Sequence, residues 1–255
     1  MKIIKRTCAF FLAFLLVGCG NVAAPTEPVE TAEPIVTQAA LEKALATTAQ
    51  VEMGGDIQLR SGVTLESNVL VGNGYQLLAP TYDENAAETT ASIFLVSGNV
   101  ENIVLNGGNR SMTTDPNHRM LGHIRLTNVV SSAYSALYVG HGDNEHNLDA
   151  VHCEFYGKTV FSRIAKAYFA DCTFGYNTTH EQGCVWAYRD ARFVNCRFEG
   201  MGENKFQLII PKEESNREVI FENCYVGDTL ITEDNIEQLL KVNNQGSNTI
   251  RVSND

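Results

Sequence analysis

AVHCEFYG (150–157), FADCTFGY (169–176), FVNCRFEG (193–200) and FENCYVGD (221–228) are copies of one pattern. Each runs apolar, variable, Asn/Asp/His, Cys, variable, then Phe or Val. More degenerate copies precede them: LTNVVS (126–131), VLNGGN (104–109) and VGNGYQL (71–77). The pattern sets a turn column at Asn106, Asn128, His152, Asp171, Asn195 and Asn223, at intervals of 22, 24, 19, 24 and 28 residues. A repeat of that period is the mark of a solenoid. Asn and Asp suit the bend because they tolerate left-handed backbone and their short polar side chains bond nearby main chain.

Two like-facing apolar residues lead into each turn: Ile124 and Leu126, Leu148 and Ala150, Ala167 and Phe169, Ala191 and Phe193, Val219 and Phe221. These are period-two strands with one apolar face. A further apolar strand separates the copies: SIFLVSG (92–98), ALYVGHG (136–142), TVFSRIA (159–165), CVWAYRD (184–190) and FQLIIPK (206–212). Each repeat therefore holds about three short strands and no helix. The expected fold is all-β, a single-stranded parallel β-helix solenoid of about seven to eight coils. Across residues 50–230 the pattern resembles the right-handed parallel β-helix of the pectin-lyase-like superfamily, a fold that carries many functions. TQAALEKALATT (37–48), with Thr37 as N-cap and Ala40, Leu41, Ala44 and Leu45 on one face, reads as a short helix capping the first coil within 37–49. DNIEQLLKV (234–242) opens a C-terminal cap over 233–255. Solenoid ends need covering because their strand edges and apolar interior are otherwise bare.

The chain has 255 residues, 44% of them hydrophobic and 19% charged, so it can bury a substantial core. Six Pro and 20 Gly exclude a collagen-like or Pro-rich filament. The single long apolar run lies at the N-terminus, where Lys2, Lys5 and Arg6 precede Cys8–Val17. That run is too short to span a bilayer and reads as an export signal over 1–18. Its end, Leu16-Val17-Gly18-Cys19, resembles the lipobox of bacterial lipoproteins. The resemblance implies cleavage before Cys19, lipidation of its thiol, and anchoring to the bacterial membrane on the extracytoplasmic side. Residues 19–36, with three prolines and acids but no cation, form a solvated tether, leaving 37–255 as the folded domain. Losing three cations and no acid with the signal moves the net charge from −11 to −14. With no cluster of Lys and Arg to displace counterions, the chain lacks the means to hold nucleic acid.

Of seven cysteines, Cys8 leaves with the signal and Cys19 carries lipid. Cys153, Cys172, Cys196 and Cys224 share one repeat position and read as a stacked column of buried free thiols. Disulfides between adjacent coils are the alternative; a metal site is not expected, because a column runs parallel where ligands must converge. HGDNEH (141–146) is the densest polar cluster and reads as a hydrated loop between coils, with His118, His123, His141 and His146 free to converge across neighbours.

Gly140-His141-Gly142 followed by Arg163-Ile164-Ala165-Lys166 resembles two fragments of the polygalacturonase-type hydrolase signature. The paired acids that inverting hydrolysis requires are missing, since no Asp-Asp occurs and Thr113-Thr114-Asp115 only echoes the family's other acidic element. A calcium-dependent lyase on this fold would draw ligands from Asp143, Glu145, Asp149, Glu154 and Asp171, with Arg163 or Lys166 as base. The catalytic candidates are thus His141, Asp143, Arg163 and Lys166, and only the lyase reading brings a cofactor, calcium.

An outward row is the better-supplied feature. If Leu137 and Val139 face in, Tyr138 faces out; the same alternation puts Phe161 and Arg163 out between Val160 and Ser162, and Trp186 and Tyr188 out beside Val185 and Ala187. Tyr138, Phe161 and Trp186 then form an aromatic ladder flanked by Arg163, Tyr188 and Arg189, suited to the apolar faces and hydroxyls of sugars. The opposite phase buries Phe161 and Trp186 and sets Arg163 against a loop. The expected function is a surface-anchored, non-catalytic glycan-binding or adhesion module; the alternatives are a carbohydrate-active lyase or hydrolase, and a scaffold for a protein partner.

Overall fold

The computed structural model describes residues 33–80, 90–181, 183–202, 204–212 and 216–254. The signal, Cys19 and most of the tether lie outside them. The described residues form one mostly parallel, curled β-sheet with two helices. Each strand pairs with the one a repeat later, so the sheet consists of three lines whose successive members are its rungs.

The first line runs through Gln50–Glu52, Asn68–Val71, 98–101, 124–127, Leu148–Val151, Ala167–Ala170, Ala191–Val194, Glu218–Glu222 and Thr249–Ser253. The second runs through Ile57–Gln58, Gln76–Leu78, 103–106, 129–132, 154–156, Thr173–Gly175, Arg197–Phe198 and Tyr225–Val226. The third runs through Val63–Leu65, Ala91–Leu95, Arg110–Thr113, 135–139, 158–161, Cys184–Ala187, Gln207–Ile210 and Lys241–Asn244. The pair Tyr225–Val226 with Thr229–Leu230 is antiparallel.

Parallel register places like residue over like, and that builds the core. In the first line Ala150, Phe169, Phe193 and Phe221 are register partners; in the second, Phe155, Phe174 and Phe198 are. Phe169 and Phe193 stack at 5.2 Å and 8°, Phe174 and Phe198 at 5.2 Å and 11°. Rings of the two lines meet edge to face, as Phe174 does Phe193 at 5.5 Å. Each fully buried Phe contributes about 2–3 kcal/mol of transfer free energy, so this ring stack dominates the later repeats.

The first and second lines are joined by the turn column, and one expected position needs correction. Asn102, Asn128, His152, Asp171, Asn195 and Asn223 have φ of 51°, 52°, 54°, 52°, 52° and 49°. Asn106 is instead the last residue of the strand Gly98–Asn106. The repeat copy is Val100 to Leu105, with Ile103 in the Cys position; the Asn-Gly-Gly that follows imitates a turn signal one strand too late. Side chains in the column bond between rungs: Asn128 Nδ2 donates to Asn102 Oδ1 at 2.9 Å, and Asn195 Nδ2 to Asp171 Oδ1 at 3.1 Å.

Immediately after the turn the thiol column closes the corner. Cys153, Cys172, Cys196 and Cys224 are buried and free, as is Cys184 elsewhere. Each of the four thiols donates to the carbonyl two residues back, at 3.2–3.4 Å. Burial pushes the Cys196 thiol well above its ordinary range, keeping it a proton donor.

The helix Gln38–Thr47 carries Thr37 as N-cap, whose hydroxyl accepts the Ala40 N–H, and buries Leu41 and Leu45 over the first rung. Ile35, just ahead of it, already pairs with Met53. At the other end the short helix Ile236–Leu239 buries Ile236, and the segment after it adds Lys241–Asn244 and Thr249–Ser253 as parallel strands.

Candidate functional site

Register fixes which side chains of the third line share its outer surface. Phe94, Thr113, Tyr138, Val160, Trp186 and Ile209 form one outward column. Phe161 does not belong to it: the ring is fully buried, in register with Val139 and Ala187, and Thr159 faces inward with it. The aromatic ladder is therefore interrupted at its middle by Val160, itself shielded between Tyr138 and Trp186. Rung pairing sets this phase: beyond the shifts at Tyr156/Lys158 and Lys158/Thr159, residues 159–161 run in unbroken register with 137–139. The inward alternation of Leu137 and Val139 thus continues at Thr159 and Phe161, not at Val160 and Ser162.

Tyr138 and Trp186 are partly exposed on that face, and Tyr188 stacks with Trp186 at 6.0 Å and 21°. Gly140 makes room for Tyr138, since a Cβ there would lie 2.5 Å from its ring. Two cations that the sequence reading passed over complete the arrangement. The Arg110 guanidinium lies 3.9 Å from the Tyr138 ring centroid, and Lys158 Nζ lies 4.7 Å from that of Trp186. Burial, aided by the Arg110 charge, holds the Lys158 ammonium below its ordinary value, while burial pushes the neighbouring Cys184 thiol up. Further along the column Phe94 stacks on His118 at 4.2 Å and 19°. Asp115 fixes that imidazole through a 3.0 Å contact to Nδ1. Burial pushes the Asp115 carboxyl up, but the N–H groups of His118 and Asn117 outweigh it and leave the group lowered.

The two flanking arginines expected on this face sit elsewhere. Arg189 is 7% exposed and donates to Asn144 Oδ1 at 2.8 Å, so it ties down the 141–147 loop. Arg163 is exposed beyond the strand end, at φ 44°, and its carbonyl accepts the Asn144 N–H.

The four catalytic candidates are divided between two settings. His141 is held by its backbone N–H to Thr114 Oγ1 at 2.8 Å, and Asp143 pairs with His146 at 3.1 Å. Lys166 instead lines a groove of about 310 Å³ on the first line, with Asp149, Tyr168, Asp190, Arg192 and Glu218. Among the described residues no three His, Cys, Asp or Glu side chains group closely enough to hold a metal ion. No known protein family, characterised protein or solved structure matches this chain.

Proposed function

We propose that this chain is an exported, lipid-anchored bacterial surface protein whose right-handed parallel β-helix binds a polysaccharide or surface glycan without cleaving it. The lipobox-like Leu16 to Cys19 supports the anchor. Three lines of parallel strands, each pairing one repeat onward, support the β-helix, and a right-handed path is the expected hand for parallel crossovers.

The observation that carries the binding reading is the outward column of the third line. Tyr138 and Trp186 offer flat apolar surface for the C–H faces of sugar rings, with Val160 packed between them. Lys158, against the Trp186 ring, supplies N–H donors to hydroxyls at a fixed position, while the buried Arg110 braces the Tyr138 ring and donates to Thr113 Oγ1 at 3.4 Å. Both rings stand on strands, which hold them more rigidly than loops would.

The test uses the chain's single tryptophan, Trp186, whose emission reports this face alone. Titration with neutral and uronic oligosaccharides, with native mass spectrometry alongside, is expected to give a saturable emission change and intact adducts. Trp186→Ala and Tyr138→Ala each weaken binding by about tenfold if the platform holds the sugar. Shortened fragments make the protein an enzyme; a panel with neither adducts nor fragments removes the glycan reading.

A further inference from the structure

His123, His146 and Asp143 meet where two successive rungs pass from the third line to the first. His146 Nε2 lies 3.1 Å from Asp143 Oδ2, and the His123 and His146 rings meet edge to face at 5.2 Å. The Asn147 N–H donates to His123 Nδ1 at 2.9 Å, while the Asn147 carbonyl accepts the Ile124 N–H at 3.1 Å. The His123 ring thus acts as an acceptor for main chain of the next rung, and only a neutral imidazole with its proton on Nε2 can do so.

We propose that His123 is an acid-opened clip on loop 141–147. Proton uptake at Nδ1 converts the acceptor into a donor facing the Asn147 N–H, and the bond is lost. His146 and His118 each sit against a carboxylate, Asp143 at 3.1 Å and Asp115 at 3.0 Å. Other charged or titratable groups around His123 are Arg119 and Arg125 on its own segment. From the next rung come His141, Glu145 and Asp149, and beyond them Arg163 and Lys166; residues 94–99 on the preceding rung carry none.

The opening is local. The far end of the loop stays tied by the Met120–Gly142 bridge, by Arg119 Nη2 donating to the Gly142 carbonyl at 2.8 Å, and by Arg189 on Asn144. What loosens is the Asn147 end, which borders the groove containing Asp149, Lys166 and Tyr168.

Amide exchange of the whole folded chain, followed residue by residue between about pH 8 and pH 5, tests the clip. After correction for intrinsic exchange, the Asn147 amide is expected to lose about five- to tenfold protection on acidification, the worth of one hydrogen bond. In His123→Asn, whose Oδ1 replaces Nδ1 as an acceptor that does not titrate, protection stays flat. In His146→Gln the acid loss persists. Flat protection in the parent protein overturns the proposal, as does an undiminished acid loss in His123→Asn. Should that variant not fold, ring 15N shifts of the parent decide: His123 bearing its proton on Nδ1 at the alkaline end overturns the clip, and on Nε2 supports it.

Discussion

Thr159 faces the interior between Leu137 and Val185, its register partners in the third line, and its Oγ1 is buried without a hydrogen-bond partner. A hydroxyl taken out of water and left unbonded costs about 1–3 kcal/mol. Valine has the same shape without that group, so Thr159→Val is expected to raise stability by about 1–2 kcal/mol. The denaturant midpoint should rise with an unchanged slope, since the surface exposed on unfolding is the same. A lower midpoint would mean that the hydroxyl is satisfied in solution. This position also shows why the residue scale was the hardest to read in advance. Thr159, Val160 and Phe161 are a β-branched polar residue followed by two apolar ones, a triplet that fits either phase of a half-buried strand. Only the pairing of Thr159 and Phe161 with Leu137 and Val139 decides it, and that register belongs to two rungs, not to either segment alone.

At the scale of the element, the turn after each first-line strand from 98–101 to Glu218–Glu222 is governed by one left-handed residue. A β-substituted side chain in that region costs about 1–2 kcal/mol unless it is Asn or Asp, which recover part of it through local hydrogen bonds. Asn195 has φ 52° and donates to Asp171 Oδ1 across the rung boundary. Asn195→Gly should therefore lose only the side-chain bond, about 1 kcal/mol, whereas Asn195→Val should lose that and the backbone preference, about 2–3 kcal/mol in all. Thermal melting of the two variants checks the order, and equal losses would show that conformation is not what selects Asn there. Because the chemistry is local, most of the column was legible from sequence: His152, Asp171, Asn195 and Asn223 stand where the motif put them. The displaced member arose where Ile103 replaces Cys and Gly107-Gly108 supplies a stronger turn signal four residues on. The cations over Tyr138 and Trp186 were not legible, because Arg110 and Lys158 reach those rings only across rung boundaries.

For the whole molecule the decisive feature is that every rung needs a neighbour on each side, and the end rungs have only one. Gln50–Glu52 would offer an open edge and the interior an uncovered end, a template for another chain. The helix Gln38–Thr47 prevents this: Leu41 is fully buried and Leu45 nearly so, and Asn68 Nδ2 pins the helix end by donating to the carbonyls of Leu45 and Thr48 at 3.0 and 2.6 Å. The amphipathic pattern of residues 37–48 identified this cap, since a helix with one apolar stripe beside a β repeat has few other places to bury it. Its worth as a lid is testable apart from its worth as packing. Leu41→Ala leaves the helix seated over a cavity and should cost about 2–4 kcal/mol without changing the mass in solution from that of the parent. Leu41→Asp cannot keep a carboxylate in that site, so the helix lifts and bares the first rung. End-to-end association should follow, read by light scattering as a mass that grows with protein concentration. If Leu41→Asp keeps the mass of the parent and melts with Leu41→Ala, the helix contributes packing alone, and the charge of the chain keeps its ends apart instead.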